Sequence, residues 1–353
     1  MPTPFLFLVV LLCLHKINNE RTIYSLYHLL CGKKSSQTIQ DAHLFQITRF
    51  YKTYSALTRQ QFEAIIMELE RLNLIVQTNE QHYVLTDSGR AFMKKESKNY
   101  PFLSYLNGWN YQYSEVFWQR LSLVVQVTSH LVNEDRNYIP IQRNRQLLSW
   151  LKSFFLNNRL NRKEFSRKLY EELILVLDEC ADISPSVLII RLTGYETIGL
   201  TEKQAFDYLD MEQTLYQYQF QALIHYILEK VQNDPKRFVL LFSLIMDVQT
   251  SLPITESSKK TLDLLDKGFS IEKIAQIRKL KVSTIQDHIV ELALQVKSFQ
   301  IDPFVDKQKM KLILKANEEA ASKQLRYIRE LVPEATYFQI RLVMSKFGDN
   351  NES

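Results

Sequence analysis

The stretch SKKTLDLLDKGFSIEKIAQIRKLKVSTIQDHIVEL, Ser258 to Leu292, carries the pattern that decides the fold. Leu262 and Leu265 give a first helix its inner face, Gly268 permits a reversal, and Phe269 fills the corner. Ser270 is placed to cap a second helix in which Ile271, Ile274 and Ala275 recur at helical intervals. A tight turn over Lys279–Lys281, with Leu280 expected inside, leads to a third helix. Ser283 is its expected cap, with Gln286 at capping-box spacing. Val282, Ile285, Ile289 and Leu292 then bury the third helix against the first two. Core, turn and caps of a helix-turn-helix are all specified.

A helix that follows such a turn fits the DNA major groove. With Ile285 and Ile289 inward, Ser283, Thr284 and Asp287 are expected to point outward, with Gln286 and His288 on the flanks. Hydroxyl and amide groups can reach base edges or phosphates, and a helix amino end favours a phosphate. Arg278, Lys279 and Lys281 stand beside that end, where cations neutralise the nucleic-acid backbone. Asp287 and Glu291, read as outward carboxylates, repel phosphate and weaken the case. These eight residues (Arg278, Lys279, Lys281, Ser283, Thr284, Gln286, Asp287, His288) are the DNA-binding candidates, against the alternative of a purely structural helix-turn-helix.

Towards the amino terminus, residues 17–95 follow a winged-helix plan. Ile23, Leu26, Tyr27 and Leu30 share one helical face, and Gly32 stops that helix. Ser35 or Ser36 can cap SSQTIQDAHLFQITRFY, the second helix. In LTRQQFEAIIMELERLNLI, Thr58 and Gln61 have capping-box spacing and Phe62, Ile65, Ile66 and Leu69 form the inner stripe. Two β-prone runs, Leu74–Gln77 and His82–Leu85, flank the polar Thr78–Gln81 as a wing, and Asp87 opens another helix. Lys33 and Lys34 precede a helix, and Arg59 and Gln60 open the third one. All four are secondary DNA-binding candidates, with a solvated surface as the competing reading. The apolar run Phe5–Leu14 is too short for a membrane span and lacks preceding cations and a cleavage site. It is expected to be a buried first helix, a signal peptide or anchor being the competing reading.

Residues 96–182 are helical and aromatic, with Trp109, Trp118, Trp150, Phe154 and Phe155 expected in cores. Asn157–Lys168 is the most basic stretch, where Arg159, Arg162, Lys163, Arg167 and Lys168 face only Glu164. It is either a solvated helix face or a phosphate contact, so Arg159, Arg162 and Lys163 join the secondary candidates. Residues 184–230 offer a weaker helix-turn-helix in which Thr201 caps TEKQAFDYLD before QTLYQYQFQALIHYIL, equally suited to packing, protein contact or DNA. The expected division is 1–95, 96–250 and 251–348, with 349–353 as a disordered tail.

Composition narrows the function. In 353 residues, seven glycines and nine prolines are too few for a turn-rich β fold or glycine-rich nucleotide loops. A net charge of +5 favours encounter with polyanions without making a strongly basic coat. Cys13, Cys31 and Cys180 are too scattered for zinc or disulfides and fit a cytoplasmic protein with buried, reduced thiols. CGKKSS at 31–36 is not a phosphate loop, because the required first glycine falls at Tyr27 and Lys34 replaces Ser or Thr. The seven histidines have no metal spacing and no nucleophile elbow occurs, so neither an enzyme, a cofactor, a small-molecule substrate nor a membrane is expected.

The C-terminal stretch resembles the helix-turn-helix domain at the carboxyl end of some RecQ-type helicases. The shared features are G-x-S-I-x-x-I-A at Gly268–Ala275, S-T-I-x-x-H at Ser283–His288 and the later segment YFQIRLVMSKF, Tyr337–Phe347. With RTIYSLYHLLCGKKSSQTIQDAHLF at 21–45, the whole chain resembles the YpbB-type proteins of Gram-positive bacteria. That resemblance implies a mainly α protein with an N-terminal winged helix, a helical middle and a C-terminal helix-turn-helix. It also implies a non-catalytic DNA-binding accessory, with DNA and a RecQ-type helicase as partners in repair or recombination. A sequence-specific transcription regulator and a protein-interaction scaffold without DNA contact are the alternatives.

Overall fold

A computed structural model describes residues 4–158, 161–249, 254–319 and 325–347. The chain is mainly α-helical, with a single two-stranded sheet among the described residues. It divides into two compact units, one made of 1–95 together with 252–353 and the other of 96–251. The two terminal segments, separate along the sequence, therefore share one unit; the tail at 349–353 lies outside the described residues.

In the first unit, α1 (Pro4–Ile17) is buried from Phe5 to Leu11 and packs on the wing and on α2 (Ile23–Cys31). Its run of apolar residues on every face explains that burial. Among the described residues no helix is long and apolar enough to cross a membrane. Gly32 ends α2 at a φ of 74°, a conformation that favours glycine. Ser35 caps α3 (Ser36–Leu44) through the Thr38 N–H. The long second helix expected through Tyr51 stops at Leu44, because Gln46 turns left-handed and the chain re-forms only a 3-10 turn at Thr48–Phe50. The Thr58–Gln61 capping box opens α4 (Arg59–Arg71), and Phe62, Ile65, Ile66 and Leu69 are its buried stripe. The wing follows as β1 (Ile75–Asn79) and β2 (His82–Leu85), antiparallel with Ile75 opposite Leu85, and then α5 (Asp87–Glu96).

The second unit holds α6 (Ser114–Val132), α7 (Arg145–Asn157), α8 (Arg162–Asp178), α9 (Ser186–Ile189), α10 (Glu202–Tyr208), α11 (Gln213–Asn233) and α12 (Val239–Ser243). The weaker helix-turn-helix candidate falls on α9 to α11. Its α10 has the Thr201–Gln204 capping box, but α11 is the central packing helix, with Tyr216, Tyr218, Leu223, Ile227 and Leu228 fully buried. Tyr216 and Tyr218 are thus core, and α11 has little free face to offer a groove. Arg120 of α6 is buried, takes Asp247 in two hydrogen bonds of 2.5 and 2.8 Å, and lies over the Trp150 ring.

The rest of the first unit contains α13 (Glu256–Leu265), α14 (Ile271–Arg278), α15 (Val282–Gln295), α16 (Lys307–Glu319), α17 (Leu325–Leu331) and α18 (Tyr337–Phe347). Ile274, Ile285, Ile289, Val290, Ile313, Ile328, Ile340 and Val343 are fully buried and make one core. At its centre, α15 is packed by α13, α14 and α18, and by α3 from the amino-terminal segment.

Candidate nucleic-acid interface

Helices α13, α14 and α15 form the helix-turn-helix. Gly268, at a φ of 80°, reverses the chain after α13, and Ser270 caps α14 through the Lys273 N–H. Lys279 closes α14 in the left-handed region at a φ of 52°, and its neighbour Leu280 donates its N–H to Ala275. Leu280, expected inside, is 36% exposed, because the left-handed residue turns this tight corner to the surface. Helix α15 begins two residues earlier than expected. Lys281 occupies the cap position, no side chain caps the helix, and Ser283 stands within the first turn with Val282 exposed beside it.

Around this corner the candidate residues divide. Lys279, Lys281 and Ser283 are exposed, and Thr284 and Gln286 are half-buried at the same end of α15. Neither lysine has an ion pair among the described residues. Asp287 is held by Arg341 of α18 at 2.5 Å, and Arg341 also donates to Gln40 of α3 at 2.9 Å. Its carboxylate is thereby neutralised from within the unit, which removes the repulsion expected of a free acid.

Arg278 and His288 are turned inward rather than towards solvent. The Arg278 guanidinium donates to the Ser257 carbonyl at 2.7 Å, to the Ser257 hydroxyl at 2.8 Å, to Thr261 and to His288 Nδ1 at 3.2 Å. Since arginine only donates, Nδ1 of His288 accepts and the ring is neutral. Burial, then the adjacent Arg278 charge, lowers its pKa to about 4. Glu291, read as outward, is buried and accepts from the Thr255 N–H, the Thr255 hydroxyl and the Ser258 hydroxyl. The inner face of α13 is therefore polar at Ser258 and Thr261, while Leu262 is only half-buried. Hydrophobic periodicity could not reveal this seam, because the partners of these hydroxyls lie on α14 and α15. Val290 and Ala293, apolar but off the expected stripe, are the signal that α15 is covered on several sides.

The secondary candidates fare differently from one another. Lys33 and Lys34 are exposed just before α3, and Lys33 lies 3.4 Å from His28. Gln60 is exposed, but Arg59 is held by Glu63 at 2.8 Å and by the Tyr24 hydroxyl at 2.7 Å, over the Tyr24 ring. The wing segment 72–86 contains no lysine or arginine. Arg162 and Lys163 are exposed at the start of α8, and Arg159 lies outside the described residues. CGKKSS spans the end of α2, its cap and the start of α3, not a loop around a phosphate. Among the described residues, no three His, Cys, Asp or Glu side chains come together as metal ligands.

A second helix closed by a left-handed turn, followed by a third whose first turn carries the exposed polar residues, defines a helix-turn-helix protein. Residues 257–344 match a family described as a helix-turn-helix domain. Over nearly all of its length the chain is similar to Protein YpbB of Bacillus subtilis (strain 168), at 34% identity over 342 residues and 96% of each chain. The chain belongs to that family. No solved structure matches it.

Proposed function

We propose that the chain is a non-catalytic DNA-binding accessory protein that contacts DNA through the α14–α15 corner. The observation that carries this reading is the exposed pair Lys279 and Lys281, free of ion pairs among the described residues, beside the start of α15, which no side chain caps, with Ser283 exposed. Two cations and the partial positive charge of the helix end attract phosphate, while Ser283, Thr284 and Gln286 can set register. Arg278, Asp287 and His288 hold the corner in shape. The proposed partnership with a RecQ-type helicase, in repair or recombination, rests on the resemblance of the C-terminal stretch to the domain those helicases carry.

Fluorescence anisotropy with duplex, forked and single-stranded DNA across a salt series tests this function. Lys279→Glu with Lys281→Glu is expected to weaken binding at least tenfold at 0.15 M salt and to flatten the salt dependence by about 2 in the log–log slope. Binding indifferent to salt and to both reversals would sink the proposal. A scaffold role without DNA has one specific observation in its favour: across α4 and the wing, 59–86, there is no lysine and both arginines are paired with glutamates, while Met67 is 64% exposed there.

A further inference from the structure

The most one-sided charge in the chain lies away from the helix-turn-helix. From Arg136 to Lys163 there is no Asp or Glu, while Arg136, Arg143, Arg145, Lys152, Arg159, Arg162 and Lys163 are all cationic. Elsewhere acids and bases nearly balance, with 44 Lys and Arg against 39 Asp and Glu in the whole chain. Arg159 is outside the described residues; the other six are exposed, and none is in an ion pair among the described residues. Other surface arginines of this unit, such as Arg167 and Arg237, are paired with glutamates.

These cations sit on an anchored platform. His130 binds Asp135 at 2.7 Å and stacks on Tyr138, so the segment leaves α6 in a set direction. The Gln126 amide then grips the irregular segment on both sides, donating to Ile139 O at 3.1 Å and accepting from Ile141 N at 2.9 Å. Asn144 caps α7 through the Gln146 and Leu147 N–H groups. Along α7, Leu147 and Leu151 face in, while Arg145, Ser149, Lys152 and Ser153 share the exposed side. Arg162 lines the same cavity as Phe155 and Asn158, which places it at the carboxyl end of α7. The 13 residues of α7 span about 20 Å, the axial length of about six phosphates on one DNA strand.

Stability does not explain the arrangement. Arg145 opens α7, and Arg162 with Lys163 opens α8, at the ends where the helix dipole favours acids over cations. We propose that this face of the 96–251 unit is a second, sequence-independent site for the phosphodiester backbone of DNA. Arg143, Arg145 and Lys152 form its centre, with Arg136, Arg162 and Lys163 at its margins. It does not depend on the helix-turn-helix reading, because the two sites share no residue.

The test uses the full chain carrying Arg143→Glu, Arg145→Glu and Lys152→Glu, beside Lys279→Glu with Lys281→Glu, on labelled duplex and single-stranded DNA. The triple variant is expected to lose at least tenfold in affinity at 0.15 M salt and about 2 to 3 in the salt slope. Its melting temperature should be unchanged or higher, since Arg145→Glu suits the helix end. If it fails to fold, the milder Arg143→Gln, Arg145→Gln and Lys152→Gln variant must show the same direction of change. Undiminished DNA binding in a folded triple variant overturns the inference, whatever the corner lysines do. Loss of affinity for phosphatidylserine vesicles with DNA binding intact also overturns it, assigning the face to a membrane surface. Loss of binding in the triple variant alone supports this site and removes the corner as the main contact.

Discussion

Replacing Arg278 by alanine separates a residue that builds the corner from those that face the partner. The guanidinium joins Ser257 and Thr261 of α13 to His288 of α15, so its loss leaves a carbonyl and two hydroxyl oxygens without this donor, while His288 Nδ1 keeps the Thr261 hydroxyl at 2.9 Å. One hydrogen bond to a charged group contributes about 1.5–3 kcal/mol, and the half-buried position of Arg278 argues for the lower half of that range. An expected loss of roughly 2 kcal/mol corresponds to about 4–8 °C in melting temperature for a unit of this size. Arg278→Lys should recover only part of it, because one ammonium cannot reproduce the two-armed fork. Differential scanning calorimetry reads the stability, and anisotropy at 15 °C, where the variant remains folded, reads DNA binding. The expected result is a lowered melting temperature with little change in affinity per folded molecule. A wild-type melting temperature combined with a tenfold loss of DNA affinity would refute the inward assignment and return Arg278 to the contact surface.

Three further outcomes follow from local geometry. Lys279→Gly relieves the left-handed backbone at a φ of 52° and should raise stability by about 0.5–1 kcal/mol while lowering DNA affinity; a lower melting temperature would contradict it. Gly89→Ala should destabilise the first unit by about 1–3 kcal/mol, since its Cβ would meet the Leu74 carbonyl oxygen at 1.9 Å; an unchanged thermal unfolding curve would count against this. His225 is fully buried, accepts the Asn107 N–H at Nδ1, and has its pKa lowered to about 3 by burial. The unfolded chain therefore binds the extra proton, so stability is full above pH 6.5 and falls by up to about 1.4 kcal/mol per pH unit below it, until the folded pKa is reached. His288, lowered to about 4, acts with the same sign. His225→Gln should flatten the change in denaturant midpoint between pH 7 and pH 5, and an unaltered profile would refute its share.

Much of the fold was readable because its signals are local. The Thr58–Gln61 box, the Phe62–Leu69 stripe, the Gly32 stop and the Ser270 cap each involve residues within one or two turns, and each stands where the pattern put it. What escaped depended on distance. Ser258 and Thr261 look like solvent-facing residues until Glu291, Arg278 and His288 are brought against them from 17 to 33 residues away. Residue type and the spacing to Gln286 point to Ser283 as a cap, but Lys281 already has the extended backbone of the cap position, and the helix starts behind it. The break at Gln46 carried no glycine or proline to announce it. For the interface, the lysines at 279 and 281 were legible as charge. Which of their neighbours point outward required the packing of α15 by α18 and α3.

That packing limits the kind of recognition the proposed corner can perform. From His288 to Ala293 every residue of α15 is buried, so only the first turn and a half can approach a partner. A sequence reader needs several side chains spread along a groove, each contributing about 1–3 kcal/mol of discrimination at a base pair. Here Ser283, Thr284 and Gln286 are the polar groups free to do so, and the first two are short. Lys279 and Lys281 are suited to phosphate, and the proposed α7 site would add only more phosphate contact. Binding built this way is steeply salt-dependent and weakly selective for sequence. Such properties suit a protein that recognises a DNA structure for another factor better than one that finds a promoter. A selection from random duplexes should accordingly enrich no extended motif, whereas a strong consensus of six or more base pairs would favour the transcription regulator.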